Sequence, residues 1–139
     1  MRSMGESGSP YARFRRAIER RQPTAALSAA AELQHVPLTD ALELLLLLRE
    51  HDADRYPRAA LRWHGRLCRD VPSLSLAEAA AVLALLAAMG EQNDRAAALA
   101  LAELLRELEL DQPARILVRW ADDRTRGVER NQHRRRIEP

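Results

Sequence analysis

Apolar residues recur along this chain at intervals of three and four, and one stretch has no polar position at all. Leu44 to Leu48 are five consecutive leucines. A segment that is apolar on every face has to be covered on every face, so the pattern predicts a central, wholly buried helix over 38–50. Asp40 and Glu43 fall in its first turns and Arg49 and His51 at its other end, which suits the helix dipole.

The other segments show amphipathic helical spacing. Ser9-Pro10 is a start signal, with Ser at the cap and Pro in the first turn, for a helix over 10–21 carrying Tyr11, Phe14, Ala17 and Ile18 on one face. Pro23 opens an alanine-rich helix ending near 33, and His35-Val36-Pro37 is a turn. A fourth helix over 55–70 has Tyr56, Ala60, Trp63 and Leu67 as its buried stripe. Ser75 and Glu78 match a capping box for a fifth helix that runs to Met89 and stops at Gly90. A sixth begins near 93 or 94 and repeats leucines at 101, 104, 105 and 108. Asp111 can cap a seventh, which carries Ile116, Leu117 and Trp120. No alternation of strand type persists. The expectation is an all-α fold of seven helices in stacked antiparallel hairpins, a short solenoid or a compact bundle. Residues 1–9 read as a disordered leader, 10–122 as one domain and 123–139 as a basic, flexible tail.

Shifting the chain by 38 residues sets Leu38-Thr39-Asp40-Ala41 on Leu76-Ala77-Glu78-Ala79, and Ala59-Ala60-Leu61 on Ala97-Ala98-Leu99. Helices three and four therefore form one hairpin, and five and six a second of the same design. The leucine run has a counterpart at Leu83, Leu85 and Leu86, which predicts two inner helices. The second unit resembles a tetratricopeptide repeat in Met89-Gly90, in Arg95-Ala96-Ala97 and in Glu107-Leu108-Glu109-Leu110-Asp111-Gln112-Pro113. The resemblance covers 35 to 40 residues, with a spacing longer than that family's and without the usual aromatic residues of its first helix. It implies stacking of helical hairpins and assigns no peptide-binding residue. The stretches 39–45 and 58–66 are also similar to small helical proteins of high-GC bacteria, a likeness that implies no activity.

Composition narrows the function classes. At 139 residues and 47% hydrophobic, the chain can bury a core without metal or disulfide. Cys68 is the sole cysteine, which suits a reducing cytoplasm, and no apolar run is long enough to span a bilayer. The four histidines show no metal-ligand spacing, no glycine-rich phosphate loop is present, and His64 with Cys68 lacks a third group for catalysis. No enzyme, metal or cofactor is expected.

Charge is distributed unevenly. All 22 basic residues are arginine. Residues 1–22 carry six arginines against Glu6 and Glu19, a net +4, whereas 23–118 carry nine against fourteen acids, a net −5. Arg55, Arg58, Arg62, Arg66 and Arg69 recur every three or four residues along helix four, and Arg134, Arg135 and Arg136 form a basic run near residue 139. These could contact phosphates or another anion, or could be a solvated face paired with neighbouring acids such as Asp52, Asp54 and Asp70. Ile116, Val118 and Trp120 surround much of helix seven. The reading is a non-catalytic scaffold that binds a protein partner, or a second copy of itself, through these three residues. Nucleic-acid or anion binding by the arginines is the alternative. The leucine run itself is expected to organise the fold and to carry no function.

Overall fold

The computed structural model describes residues 8–91 and 94–137; most of the expected leader lies outside this range. Among the described residues seven α-helices follow one another: α1 (Pro10–Glu19), α2 (Pro23–Ala31), α3 (Leu38–His51), α4 (Tyr56–Asp70), α5 (Leu76–Met89), α6 (Asp94–Glu107) and α7 (Asp111–Ile137). A single turn of 3-10 helix, Ala53–Arg55, precedes α4. No strand occurs among the described residues. The chain divides into two compact units, the first ending at Leu67 and the second beginning at Cys68.

In the first unit the start of α1 follows from its sequence. The Ser9 hydroxyl accepts from the Ala12 N–H at 3.0 Å and Pro10 occupies the first turn. Phe14 and Ala17 of α1 pack against Ala26 and Ala29 of α2, with Leu47 of α3 completing the cluster. The alanines let α1 and α2 lie close together. Helix α1 ends with Arg21 in the left-handed region, φ 55°, while the Gln22 N–H donates to the Ala17 carbonyl at 2.9 Å. Glycine usually takes such a C-terminal turn, so the stop has no glycine signal in the sequence. In α4 the expected stripe of Tyr56, Ala60, Trp63 and Leu67 is buried. The Trp63 indole donates to the Leu38 carbonyl at 3.1 Å, which fixes α4 on the first residue of α3.

An ionic group ties α1 to α3. Arg15 donates to Asp40 at 2.9 Å and to both Glu43 oxygens at 2.9 and 3.3 Å, and the Tyr11 hydroxyl donates to Asp40 at 3.1 Å. Among the described residues Asp40 is the one buried charged side chain, 8% exposed. The bond to Glu43 raises the Arg15 pKa against the opposing cost of burial. Burial, followed by the bond to Asp40, raises that of Tyr11. Asp40 and Glu43 do lie at the start of α3, as the dipole argument expects, but their partners come from a helix 25 to 29 residues earlier.

In the second unit the capping box of α5 is complete: the Ser75 hydroxyl accepts from the Glu78 N–H at 3.0 Å, and the Glu78 carboxylate accepts from the Ser75 N–H at 2.8 Å. Helices α6 and α7 pack against each other, and both bury small residues: Ala97, Ala98 and Ala102 on α6, Ala114 and Ala121 on α7. Glu109, φ 64°, turns the chain between them. Helix α7 continues through the stretch expected as a tail, to Ile137, with its side chains exposed from Val128 onward.

The 38-residue repeat is visible in the helix boundaries. Helix α3 starts at residue 38 and α5 at 76, and α4 starts at 56 and α6 at 94. Leu48 and Leu86, Ala60 and Ala98, and Leu67 and Leu105 are buried in both hairpins. Two expectations need correction. Leu44 is only half-buried, so the leucine run has one open side. Helix α5 is not an inner helix: Leu83, the counterpart of the buried Leu45, is 39% exposed, and Leu76 is 88% exposed. Val82, Leu86 and Met89 are its buried side. Only one face of α5 is covered.

Candidate functional site

The open side of the leucine run borders a groove of about 450 Å³ in the first unit. Helix α3 lines it through Leu44, Leu45 and Leu48. Leu27 of α2, Trp63 of α4 and Val36 from the α2–α3 connection line it as well. Alanines make the space. Ala30, Ala41 and Ala59 line it on three different helices, where larger side chains would fill it. The volume lies within the roughly 300–1,000 Å³ of ordinary ligand pockets, and the lining is mainly apolar as such pockets are.

Two arginines of the α4 ridge, Arg62 and Arg66, also line the groove. Arg66 is half-buried and lies 3.3 Å from the His35 ring nitrogen. Arg62 is exposed and makes no hydrogen bond or ion pair among the described residues. The groove is therefore an apolar trough with cationic forks on the α4 side. It can take aliphatic groups below and a carboxylate above.

The rest of the ridge is spread along the outer face of α4. Arg55 pairs with Asp52 at 3.2 Å. Arg58 and Arg69, like Arg62, are exposed and without an ionic partner among the described residues. Gly65 lies among them on the same face, and a Cβ there would meet nothing within 4 Å. The far arginines, Arg134, Arg135 and Arg136, are exposed on the last turns of α7.

The three residues expected to form a partner surface on α7 are not gathered on an open face. Trp120 is buried, 8% exposed, with the Arg124 guanidinium 4.9 Å from its ring centroid. Arg124 is itself held by Asp94 at the start of α6. The Trp120 indole nitrogen has no hydrogen-bond acceptor among the described residues. Ile116 and Val118 are half-buried, and Val118 lines a shallow depression with Arg115, Arg119 and Arg126.

The groove is absent from the sequence-based set of sites. Its signal is weak: Ala30, Ala41 and Ala59 lie on three helices far apart in sequence, and only the fold brings them to one groove. Among the described residues no group of His, Cys, Asp and Glu could hold a metal ion, and no helix is long and apolar enough to cross a membrane. Comparison with protein-family models, with curated proteins and with solved structures gives no match for this chain.

Proposed function

We propose that the protein is a non-catalytic helical binding module whose α2–α3–α4 groove receives an apolar helical segment of a partner protein. The observation that carries this reading is an apolar groove lined by Leu44, Leu45 and Leu48 of the leucine run together with Arg62 and Arg66. An amphipathic helix laid in a groove presents apolar residues at three- and four-residue spacing, and an acidic residue on its flank would meet the arginines. The likeness to hairpin-repeat proteins supports the same class of function, a scaffold or adaptor, without supplying the partner. A reducing cytoplasm suits the lone Cys68.

The test is selection from a displayed library of helical peptides on the full chain. Enriched sequences should carry apolar residues at helical spacing with a flanking Asp or Glu. They should lose binding to Ala41→Phe, which fills the trough, and weaken on Arg62→Ala. Equal binding to Ala41→Phe, with its helicity checked by circular dichroism, overturns the reading.

A second reading rests on Arg58, Arg62 and Arg69 around Gly65, which have no ionic partner among the described residues. A convex arginine face with an open backbone at its centre suits a polyanion such as duplex nucleic acid, contacted through its phosphates. Affinity for a random-sequence duplex should fall steeply with salt and drop in the triple alanine variant. An unchanged affinity in that variant excludes it.

A further inference from the structure

Helix α5 carries one charged residue, Glu78, and that carboxylate is committed to the cap of its own helix. Val82, Leu86 and Met89 face the core of the second unit. A helix covered on one side normally turns a polar side to water. Here the opposite side is apolar as well. Leu76 is 88% and Leu83 39% exposed, and Ala77, Ala80, Ala84 and Ala87 are exposed with them.

The order of these residues is informative. Leu76, Ala80, Leu83 and Ala87 are separated by four, three and four positions, the spacing of a coiled-coil seam. Large and small residues alternate along it. Laid antiparallel against a copy of itself about a midpoint between Ala81 and Val82, the seam sets each Leu76 opposite Ala87 and each Leu83 opposite Ala80. Every leucine then meets an alanine. Parallel pairing would set leucine on leucine and alanine on alanine, leaving clashes and gaps in turn. The seam is thus self-complementary about a two-fold axis, the property an isologous dimer requires. Ala77 and Ala84 flank it, so the two backbones can approach closely.

We propose that the protein self-associates through α5, two copies pairing antiparallel about a two-fold axis on the seam of Leu76, Ala80, Leu83 and Ala87. The occupant of this face is a second copy of the chain. Leu76 and Leu83 are the large exposed apolar side chains of α5, and one helix face is a small contact beside the ~1,200–2,000 Å² of specific, stable interfaces. The dimer is therefore weak and reversible. No charged side chain lies on the seam, so its strength should change little with salt. The proposal uses no residue of the groove and stands apart from the peptide-binding reading.

Sedimentation velocity over a concentration series tests it. The wild type should pass from monomer to dimer, and Leu76→Glu, at a position too exposed to matter for folding, should weaken association more than ~100-fold, since two leucines lose their burial per dimer. A second measurement fixes the orientation. In a Cys68→Ser background, Leu76→Cys and Ala87→Cys should form a disulfide-linked dimer when mixed, and neither should do so alone. In the antiparallel pair the two Leu76 positions are about 16 Å apart along the axis, beyond disulfide reach. A wild type that stays monomeric at its highest soluble concentration overturns the proposal, as does a dimer that Leu76→Glu leaves intact. Cross-linking of Leu76→Cys with itself rather than with Ala87→Cys would overturn the antiparallel arrangement.

Discussion

Replacing Arg15 by alanine removes the cation that bridges Asp40 and Glu43 and leaves two carboxylates facing each other at the α1–α3 contact. Their side chains are 11% and 22% exposed, and that of Arg15 is 29% exposed. The site lies between two regimes: exposed pairs contribute ~0–1 kcal/mol, and breaking a buried pair costs ~3–5 kcal/mol. Tyr11 still donates to Asp40, which tempers the loss. An intermediate cost of about 2 kcal/mol follows, equal to a urea midpoint lowered by about 1 M for a slope near 2 kcal/mol/M. The assay is urea unfolding followed by the fluorescence of Trp63, which sits in the same unit, in a Trp120→Phe background that silences the other indole. The sharper test combines Arg15→Met with Asp40→Asn and Glu43→Gln. With the charges gone on both sides, the combined variant should be more stable than Arg15→Met alone, because the cost comes from stranding carboxylates and not from losing the pair. Additive losses across that cycle would refute the reasoning, and so would an Arg15→Ala midpoint within error of the parent.

Two further perturbations have definite signs. Burial pushes the Tyr56 phenol up to about 12, with the nearby Arg49 charge opposing it. A raised acid pKa means that the neutral form is favoured by folding, so the contribution is intact below pH 10 and is lost as pH rises from 10 through about 12. The loss should reach about 2–3 kcal/mol by urea unfolding, and Tyr56→Phe should flatten that alkaline limb; a limb unchanged in Tyr56→Phe would count against it. Gly65 occupies an exposed position inside α4 with open space around it, so Gly65→Ala should raise stability by about 1 kcal/mol, seen as a higher urea midpoint, and a lower midpoint would contradict the helix-propensity argument.

What the sequence discloses here is periodic and local. The Ser9 and Ser75 caps, the α4 stripe and the 38-residue offset of helix starts each depend on residues within one or two turns, or on a repeat of such patterns, and each is present in the structure. The stops at Arg21 and Glu109 were hidden because non-glycine residues take the left-handed turn. The Arg15–Asp40–Glu43 group was hidden because its partners lie on helices far apart in sequence. Trp120 was ambiguous for a third reason. Its spacing on α7 fits a core residue as well as an exposed anchor, and only the structure, with Arg124 over its ring, shows it buried. The arginine ridge was legible as a stripe, but whether it pairs internally depends on the reach of acids: Asp52 takes Arg55, and Arg58, Arg62 and Arg69 remain without ionic partners among the described residues.

The leucine run shows where the sequence argument goes one step too far. A helix apolar on every face must be covered on every face, but nothing in that rule requires the cover to come from the same chain. Leu47 is covered by the α1–α2 cluster, while Leu44, Leu45 and Leu48 border a trough that alanines on α2, α3 and α4 fail to fill. Helix α5 repeats the situation: apolar but for Glu78, it is covered on the side of Val82, Leu86 and Met89, and open along Leu76 and Leu83. Filling either surface with larger core residues or charging it would have been the simple route to a self-sufficient domain. In this chain both surfaces keep leucine beside alanine, an arrangement that gains free energy only when another apolar surface arrives. The leucine run of α3 and the open side of α5 are therefore the two surfaces on which the proposed occupants, a partner segment for the first and a second copy for the second, can be tested.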